Sequence, residues 1–495
     1  MVEKPNLLFL FTDEQRFDSM RCYGNASIRT PNLDRLADQS VVFENAYVTQ
    51  PVCTPSRASI MTGLYPHTTG CTENNIPLRK ETPTIAEMLS DDYVCAYHGK
   101  WHLGDEVIPQ HGFGEWVSIE DGPYRAFYSR PEYLERLSNY HHFLVANGFE
   151  PDIENQGTRI FGRYMAARMP EEFTKAAFLG REAADFIRRN KDNPFLLYVN
   201  FLEPHMPFTG PFDDMYDPEQ LPVGPTFLEK PESAASLYNR LMAEAWMHST
   251  FEGHDLSSEA GWLKLRAQYW GLVTLVDRSV GRILSALHEC GLDEKTIVVF
   301  TSDHGDMMGD HGILAKCVMY EEAVRAPLLV RIPWVSRGHR RIGGRISQID
   351  LVPTLLDLIG EPIPEHLEGE SRAAVLAGDA TPADNDVFIE WNGPDGLDGA
   401  LACTSAKLEL SDEEIARVGG HPWRTVVTAD GWKLNLSPAD QCELYDLNAD
   451  PFERKNLFGD ASQAQRVGDL TGRVERWQEQ VGDDVDLGVE RGLTG

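Results

Sequence analysis

Apolar positions along this chain fall into short unbroken runs, each closed by charged residues and followed by a stretch of helical period. Residues 6–12 are apolar from Leu7 to Phe11 and end at Thr12, Asp13 and Glu14, the pattern of a strand buried on both faces. The same reading predicts strands at 41–47, 93–97, 195–201, 296–301 and 326–332. Between them the spacing predicts helices at 30–39, opened by Thr30-Pro31, and from Cys53 to a stop at Gly63. Further helices are predicted at 83–89, 171–189, 263–288 and 349–359; the third of these carries an apolar stripe at Val276, Val280, Ile283, Leu284 and Leu287. Strands alternating with helices imply an α/β fold: a large, mostly parallel sheet sandwiched by helices, with ligands outside the carboxyl ends of its strands.

Past Ser371 the rhythm changes. Short strands at 386–391, 424–428 and 432–436, a hairpin signal at Asp430-Gly431 and a closing helix at 464–481 predict a smaller C-terminal antiparallel α+β domain. At 495 residues the chain exceeds one ordinary core, so two domains are expected, 1–370 and 371–495. Residues 122–168, rich in aromatic and basic side chains, read as an insertion beside the site, and 211–258 as irregular and Pro-rich early on.

Four predicted strands deliver ionisable residues to one edge. Asp13-Glu14-Gln15-Arg16 follows the first, His98-Gly99-Lys100-Trp101-His102 the third, Glu203-Pro204-His205 the fourth and Ser302-Asp303-His304-Gly305 the fifth, with Lys316 a short Gly-rich loop further on. Asp13, Glu14, Asp303 and His304 offer three carboxylates and an imidazole to one divalent cation, and hard oxygen ligands favour Ca²⁺, Mg²⁺ or Mn²⁺ over zinc. Cys53 stands at a helix N-terminus, where free N–H groups favour an anion, and Arg57 faces the same way one turn on.

Charge narrows the partners. With 45 basic and 77 acidic residues the chain carries a net charge of -32, which argues against nucleic acid and against an anionic membrane surface. An anionic substrate stays compatible, because a metal and a few Lys and Arg set the local field while salt screens the rest beyond about 10 Å. The eight cysteines, Cys22, Cys53, Cys71, Cys95, Cys290, Cys317, Cys403 and Cys442, form no C-x-x-C pair and no zinc spacing. The Leu7 to Phe11 run is too short for a signal sequence or a span and leads into Asp13, so a cytoplasmic protein is expected.

The string Cys53-Thr54-Pro55-Ser56-Arg57, continued by Ala58-Ser59-Ile60-Met61-Thr62-Gly63, resembles the signature of the type I sulfatases, formylglycine-dependent members of the alkaline phosphatase superfamily. H-G-K-W-H-L-G around Lys100, E-P-H-M-P-F around His205, S-D-H-G at Asp303, and Glu443-Leu444-Tyr445-Asp446-Leu447 extend the likeness over nearly the whole chain. The resemblance implies an alkaline-phosphatase-like fold and a sulfate-ester hydrolase. It further implies that a formylglycine-generating enzyme oxidises Cys53, and that Asp13, Glu14, the modified Cys53, Asp303 and His304 hold one cation, Ca²⁺ by family precedent. By the same resemblance Arg57 activates the nucleophile, Lys100 and Lys316 hold sulfate oxygens, His102 accepts a proton, and His205 with Lys316 assists the departing alcohol. His311, Arg325 and Asp277 fall in similar strings and are assigned structural roles. The family more often has Asp-Asp and Asp-Asn where this chain has Asp13-Glu14 and Asp303-His304. His304 resembles manganese-using phosphonate monoester and phosphodiester hydrolases; that activity at the same site is the alternative, and Mn²⁺ or Mg²⁺ are the alternative metals. The substrate implied is a sulfated carbohydrate or aryl sulfate; a non-catalytic carbohydrate-binding relative is a third reading, and oligomeric state stays open.

Overall fold

The computed structural model describes residues 4–335, 340–381, 385–393 and 410–488. Cys403 and residues 382–384, 394–409 and 489–495 of the expected C-terminal domain lie outside them. Eight strands form the large sheet: β1 (Asn6–Asp13), β2 (Val41–Tyr47), β3 (Val94–Gly99), β4 (Glu115–Ser118), β5 (Phe195–Pro204), β6 (Thr296–Ser302), β7 (Arg325–Arg331) and β8 (Arg340–Ser347). Their order is β8-β2-β7-β6-β1-β5-β3-β4. Every pairing is parallel except those of β7, which runs against both β2 and β6.

The pleat of β1 sorts the two cores. Leu8 and Leu10 point to one face, against Phe178 and Leu179 of helix Lys175–Arg189 and Val273 and Val276 of helix Glu259–Glu289. Leu7, Phe9 and Phe11 point to the other, against Ile60 and Met61 of helix Cys53–Thr62 and Val352 and Leu355 of helix Leu351–Ile359. Each such buried side chain contributes about 1.5–3 kcal/mol, so the middle of the sheet is the most firmly held part of the molecule. The strands that end at the site lie there.

A second, four-stranded antiparallel sheet runs Val387–Trp391, Trp423–Val427, Trp432–Leu436 and Glu443–Asp446 in sequence order. Helix Ala464–Val481 lays Val467, Leu470, Val474 and Trp477 on one of its faces. Ile389, Trp391 and Trp423 instead share a core with Tyr47, Val48 and Val52 of the large unit, and the Glu390 N–H donates to the Thr49 carbonyl at 2.7 Å. The small sheet thereby buttresses the loop that leads into Cys53. No described helix is long and apolar enough to cross a membrane.

Several expectations need correction. The 211–258 stretch is not irregular throughout: helix Leu237–Trp246 starts where the Ser236 side chain accepts from Asn239 N–H. The 171–189 helix breaks into a 3₁₀ turn, Glu171–Phe173, and a helix capped by Thr174. The 83–89 helix shrinks to Ile85–Met88 behind a Thr84/Glu87 capping box. Strands β4 and β8 had not been expected. β4 has only four residues, and β8 is an edge strand whose Arg340, Arg341, Gly343 and Gly344 erase the apolar signal.

Candidate active site

Four adjacent parallel strands, β6, β1, β5 and β3, bring Asp303, Asp13, His205 and Lys100 to one edge of the sheet. The exit from β3 requires glycine: Gly99 has φ +128°, and a Cβ there would lie 2.0 Å from the Asn200 carbonyl oxygen. Cys53 starts its helix after an extended Val52, Pro55 sits in the first turn where no hydrogen bond is lost, and Gly63 closes the helix at φ +72°.

Arg57 is fully buried and uses all its donors. Nε and Nη2 meet Asp303 Oδ2 at 3.0 and 2.8 Å, Nη2 meets Asp13 Oδ2 at 2.8 Å, and Nη1 donates to the Lys100 carbonyl and Asn200 Oδ1 at 2.8 and 2.6 Å. The guanidinium therefore fixes one oxygen of each aspartate and leaves the other turned toward Cys53. Cys53 Sγ lies 3.7 Å from Asp13 Oδ1 and 3.3 Å from His304 Nε2. His304 Nδ1–H donates to the Gly305 carbonyl at 2.9 Å, which leaves the Nε2 lone pair facing the cluster.

One ligand atom each from Asp13, Cys53, Asp303 and His304 lies within 4.8 Å of the others, all four residues being buried. Two carboxylate oxygens, an imidazole lone pair and the Cys53 side chain fit a divalent cation. Burial and Asp13 push the Cys53 thiol up to about 12, so the unmodified thiol is a poor ligand and a poor nucleophile there. Burial alone would raise Asp13, but Lys100, His205 and Arg57 hold it well below the usual carboxylate range.

Glu14 turns away from these four atoms. At φ +69° its carboxylate accepts from Lys316 Nζ at 2.8 Å and stands 3.4 Å from His205 Nε2, which groups it with Asp13 and His205. Burial, opposed by Lys316 and reinforced by Asp306, raises Glu14 to about 8, and its carboxyl has Asp306 as a hydrogen-bond partner.

Around this centre stand the remaining expected residues. Lys100 Nζ contacts Asp13 Oδ2 and lies 5.6 Å from the Tyr124 ring centroid. Asn75 Oδ1 accepts from His102 Nε2–H at 3.1 Å, which leaves Nδ1 buried without a partner. Burial, Lys100 and Arg57 keep His102 well below the ordinary histidine value, so its Nδ1 is a free base. Burial and Lys316 do the same to His205, whose Nδ1–H donates to the Met206 carbonyl at 2.8 Å. Lys316 stays charged, because Cys53 and Glu14 outweigh the burial that opposes its charge.

Other residues at the site were not named from sequence. Glu106 accepts the backbone N–H groups of Trp101 and His102 at 3.0 and 2.6 Å, Asn75 orients His102, and Asn200 holds Arg57. Asn200 left a signal, a lone amide in an apolar strand; Glu106 and Asn75 left none. The three residues given structural roles lie outside the cluster. Asp277 accepts from the Asn32 and Leu33 N–H groups at 2.9 and 2.8 Å, His311 stacks on Tyr320, and Arg325 lies over Phe17.

A mixed, mostly parallel sheet with an acidic and cationic cluster at its carboxyl edge, plus a small antiparallel sheet, is the alkaline-phosphatase-like architecture of sulfuric ester hydrolases. The sulfatase family model matches residues 5–361, and the chain belongs to the sulfatase family. It is 32% identical over 470 residues to the uncharacterized sulfatase YidJ of Escherichia coli, covering 93% of this chain and 84% of that protein. The N-acetylglucosamine-6-O-sulfatase of Bacteroides thetaiotaomicron is 27% identical, over 97% of this chain and 88% of its own. In fold the chain is similar to a phosphonate monoester hydrolase from Silicibacter pomeroyi, with TM-score 0.76, 24% identity and coverage of 98% and 97%.

Proposed function

We propose that the chain hydrolyses the sulfate ester of a sulfated saccharide, at the edge where Asp13, Cys53, Asp303 and His304 converge. The observation that carries this reading is the buried four-residue cluster ringed by Arg57, Lys100 and Lys316. The saccharide part leans on the N-acetylglucosamine-6-O-sulfatase relative. Oxidation of Cys53 to formylglycine, followed by hydration, supplies the attacking hydroxyl. Asp13, Asp303, His304 and the modified side chain would hold a divalent cation, Ca²⁺ before Mn²⁺ or Mg²⁺, which would supply positive charge there.

The chain's own residues do the rest. Lys100 and Lys316 flank the cluster and hold the sulfate oxygens as charge builds on them. Arg57 keeps Asp13 and Asp303 in place. His102 takes a proton at Nδ1, the one ring nitrogen left free. Lys316 and His205 stand together beside Glu14, where a proton reaches the oxygen of the departing alcohol.

Peptide mass analysis of the Cys53 segment, after expression with a maturation enzyme, tests the nucleophile. An unmodified thiol in an active preparation would overturn it. The second reading, a phosphonate monoester or phosphodiester hydrolase, draws on the likeness to the Silicibacter enzyme. A sulfate monoester and a phosphodiester are both tetrahedral with one negative charge, so cation counting cannot separate them. Rates on an aryl sulfate and an aryl phosphodiester do, and faster diester turnover would reverse the order.

A further inference from the structure

The 122–168 insertion sends one cation to the site without satisfying it. Arg163 opens the short helix Arg163–Ala167. Its Nη2 donates to the Tyr124 hydroxyl at 3.0 Å, and the Tyr124 ring lies 4.3 Å from the His102 ring. Arg163 and His205 also line one small cavity, with Leu202, Glu203 and Lys175. Arg163 thus reaches toward both His102 and His205, and its charge depresses both of them.

The guanidinium is only partly used. Nε and Nη2 bind Glu120 Oε2 at 3.0 and 2.7 Å, whereas Nη1 has no partner among the described residues. Glu120 also pairs with Lys175, so one carboxylate answers two cations and the cluster keeps a surplus positive charge. Glu203, on the same cavity, accepts the Ala176 N–H at 3.3 Å, and burial raises its carboxyl. The Arg163 side chain is 26% exposed, against 10% for Lys316 and none for Lys100. Beside it, Tyr164 is 48% exposed and lines a cleft of about 270 Å³ with Arg168, Lys264, Asp213 and Glu252. Thr209 borders both that cleft and the small cavity that Arg163 lines with His205.

We propose that Arg163 sets substrate specificity on the alcohol side, its free Nη1 edge binding a second anionic substituent, a carboxylate or another sulfate, on the sulfated sugar. Lys100 and Lys316, buried beside the cluster, hold the reacting group; this partly exposed cation reads what is attached to it. The inference rests on the sulfate-ester reading above for the position of the reacting sulfate.

Calorimetric binding to the Cys53→Ala protein, which cannot turn substrate over, tests the role of Arg163 whatever the chemistry. The ligands are a hexose monosulfate with no other charge, a sulfated uronic acid and a hexose disulfate. We expect one or both doubly charged ligands to bind about tenfold tighter than the monosulfate, as one charge-assisted hydrogen bond implies. That ratio falls below about twofold in Cys53→Ala/Arg163→Gln and stays partly intact in Cys53→Ala/Arg163→Lys, which keeps the charge and the Glu120 pair. Preference for the uronic acid alone identifies a carboxylate, and preference for the disulfate alone a second sulfate. Equal binding of all three ligands by Cys53→Ala overturns the proposal, as does a ratio that survives Arg163→Gln. Failure of the Cys53 enzyme to cleave any sulfate ester would sink the functional reading instead, and the binding ratio would still decide the role of Arg163.

Discussion

Two regions of this molecule bury charge, and they do it differently. At the seam between the large and small sheets, Lys433 Nζ lies 3.0 Å from Glu321 Oε1 and 2.8 Å from Glu453 Oε1, and Tyr47 donates to Glu321 Oε2 at 2.9 Å. Glu390 there takes both His67 Nδ1 at 2.6 Å and Asn392 Nδ2 at 2.9 Å. Each charge at the seam meets its opposite. At the carboxyl edge of the large sheet, His102 Nδ1 is buried without a partner, and the His304 lone pair faces a thiol. Unmet polar capacity costs stability wherever it is buried. At the edge it comes together with four ligand atoms that lie within 4.8 Å of one another, and that combination separates a place built for a ligand from a place built to join two units.

The largest test of that contrast lies at the edge. Cys53→Ala is expected to remove turnover by about a thousandfold or more. Its melting temperature should stay close to wild type, because Cys53 Sγ makes only a 3.3 Å and a 3.7 Å contact. Arg57→Ala should lose turnover as completely and also unfold early, since Asp13 and Asp303 are left buried without their shared guanidinium, at a cost of about 3–5 kcal/mol. Aryl sulfate assays beside urea denaturation check the pair. Equal stability of the two variants would mean that Arg57 does not hold the aspartates in place.

At the seam the two effects should part company the other way. Lys433→Met strands Glu321 and Glu453, both buried, and should cost about 3–5 kcal/mol in urea denaturation. The kcat of the folded fraction should change by less than about threefold, a change on the scale of ordinary substitutions away from a site. A kcat loss as large as that of Arg57→Ala would dissolve the distinction between the regions. Glu106→Gln is a smaller probe on the catalytic side. Glu106 holds the loop through the N–H groups of Trp101 and His102, so weakening it should lower kcat by about tenfold through a misplaced His102, with KM moving less.

What the sequence made legible follows the same division. Asp13, Cys53, Asp303 and His304 were readable because each stands where a strand ends or a helix starts, and parallel topology alone carries such ends to one edge. The direction of Glu14 was not readable. Its left-handed backbone and the lysine that captures its carboxylate, 302 positions away in the chain, are products of tertiary packing. Arg163 and Tyr124 sit in an insertion with neither a strand nor a helix period to announce them. The seam was invisible for a similar reason: Lys433 reads as an ordinary polar residue of a short strand, and only the packed structure puts it between two glutamates.

His67 gives the mildest and most selective test. Nδ1 donates to Glu390 Oε1 at 2.6 Å and Nε2 to the Val481 carbonyl at 3.2 Å, so both ring nitrogens act as donors and the ring carries a positive charge. Burial opposes that charge, but the Glu390 hydrogen bond and charge, with the Val481 carbonyl, raise the ring from its ordinary 6.5 to about 9. A raised folded-state value stabilises the fold fully below about pH 6.5, less and less between 6.5 and 9, and not at all above. With part of the ring open to solvent screening, the effect should be about 1–2 kcal/mol. In urea denaturation followed from pH 6 to 10, His67→Gln should remove that much of the wild-type decline while leaving the pH dependence of kcat alone. Parallel stability curves for the two proteins would show that the seam does not hold a charged histidine; a shifted kcat profile would show that the seam and the catalytic edge are coupled after all.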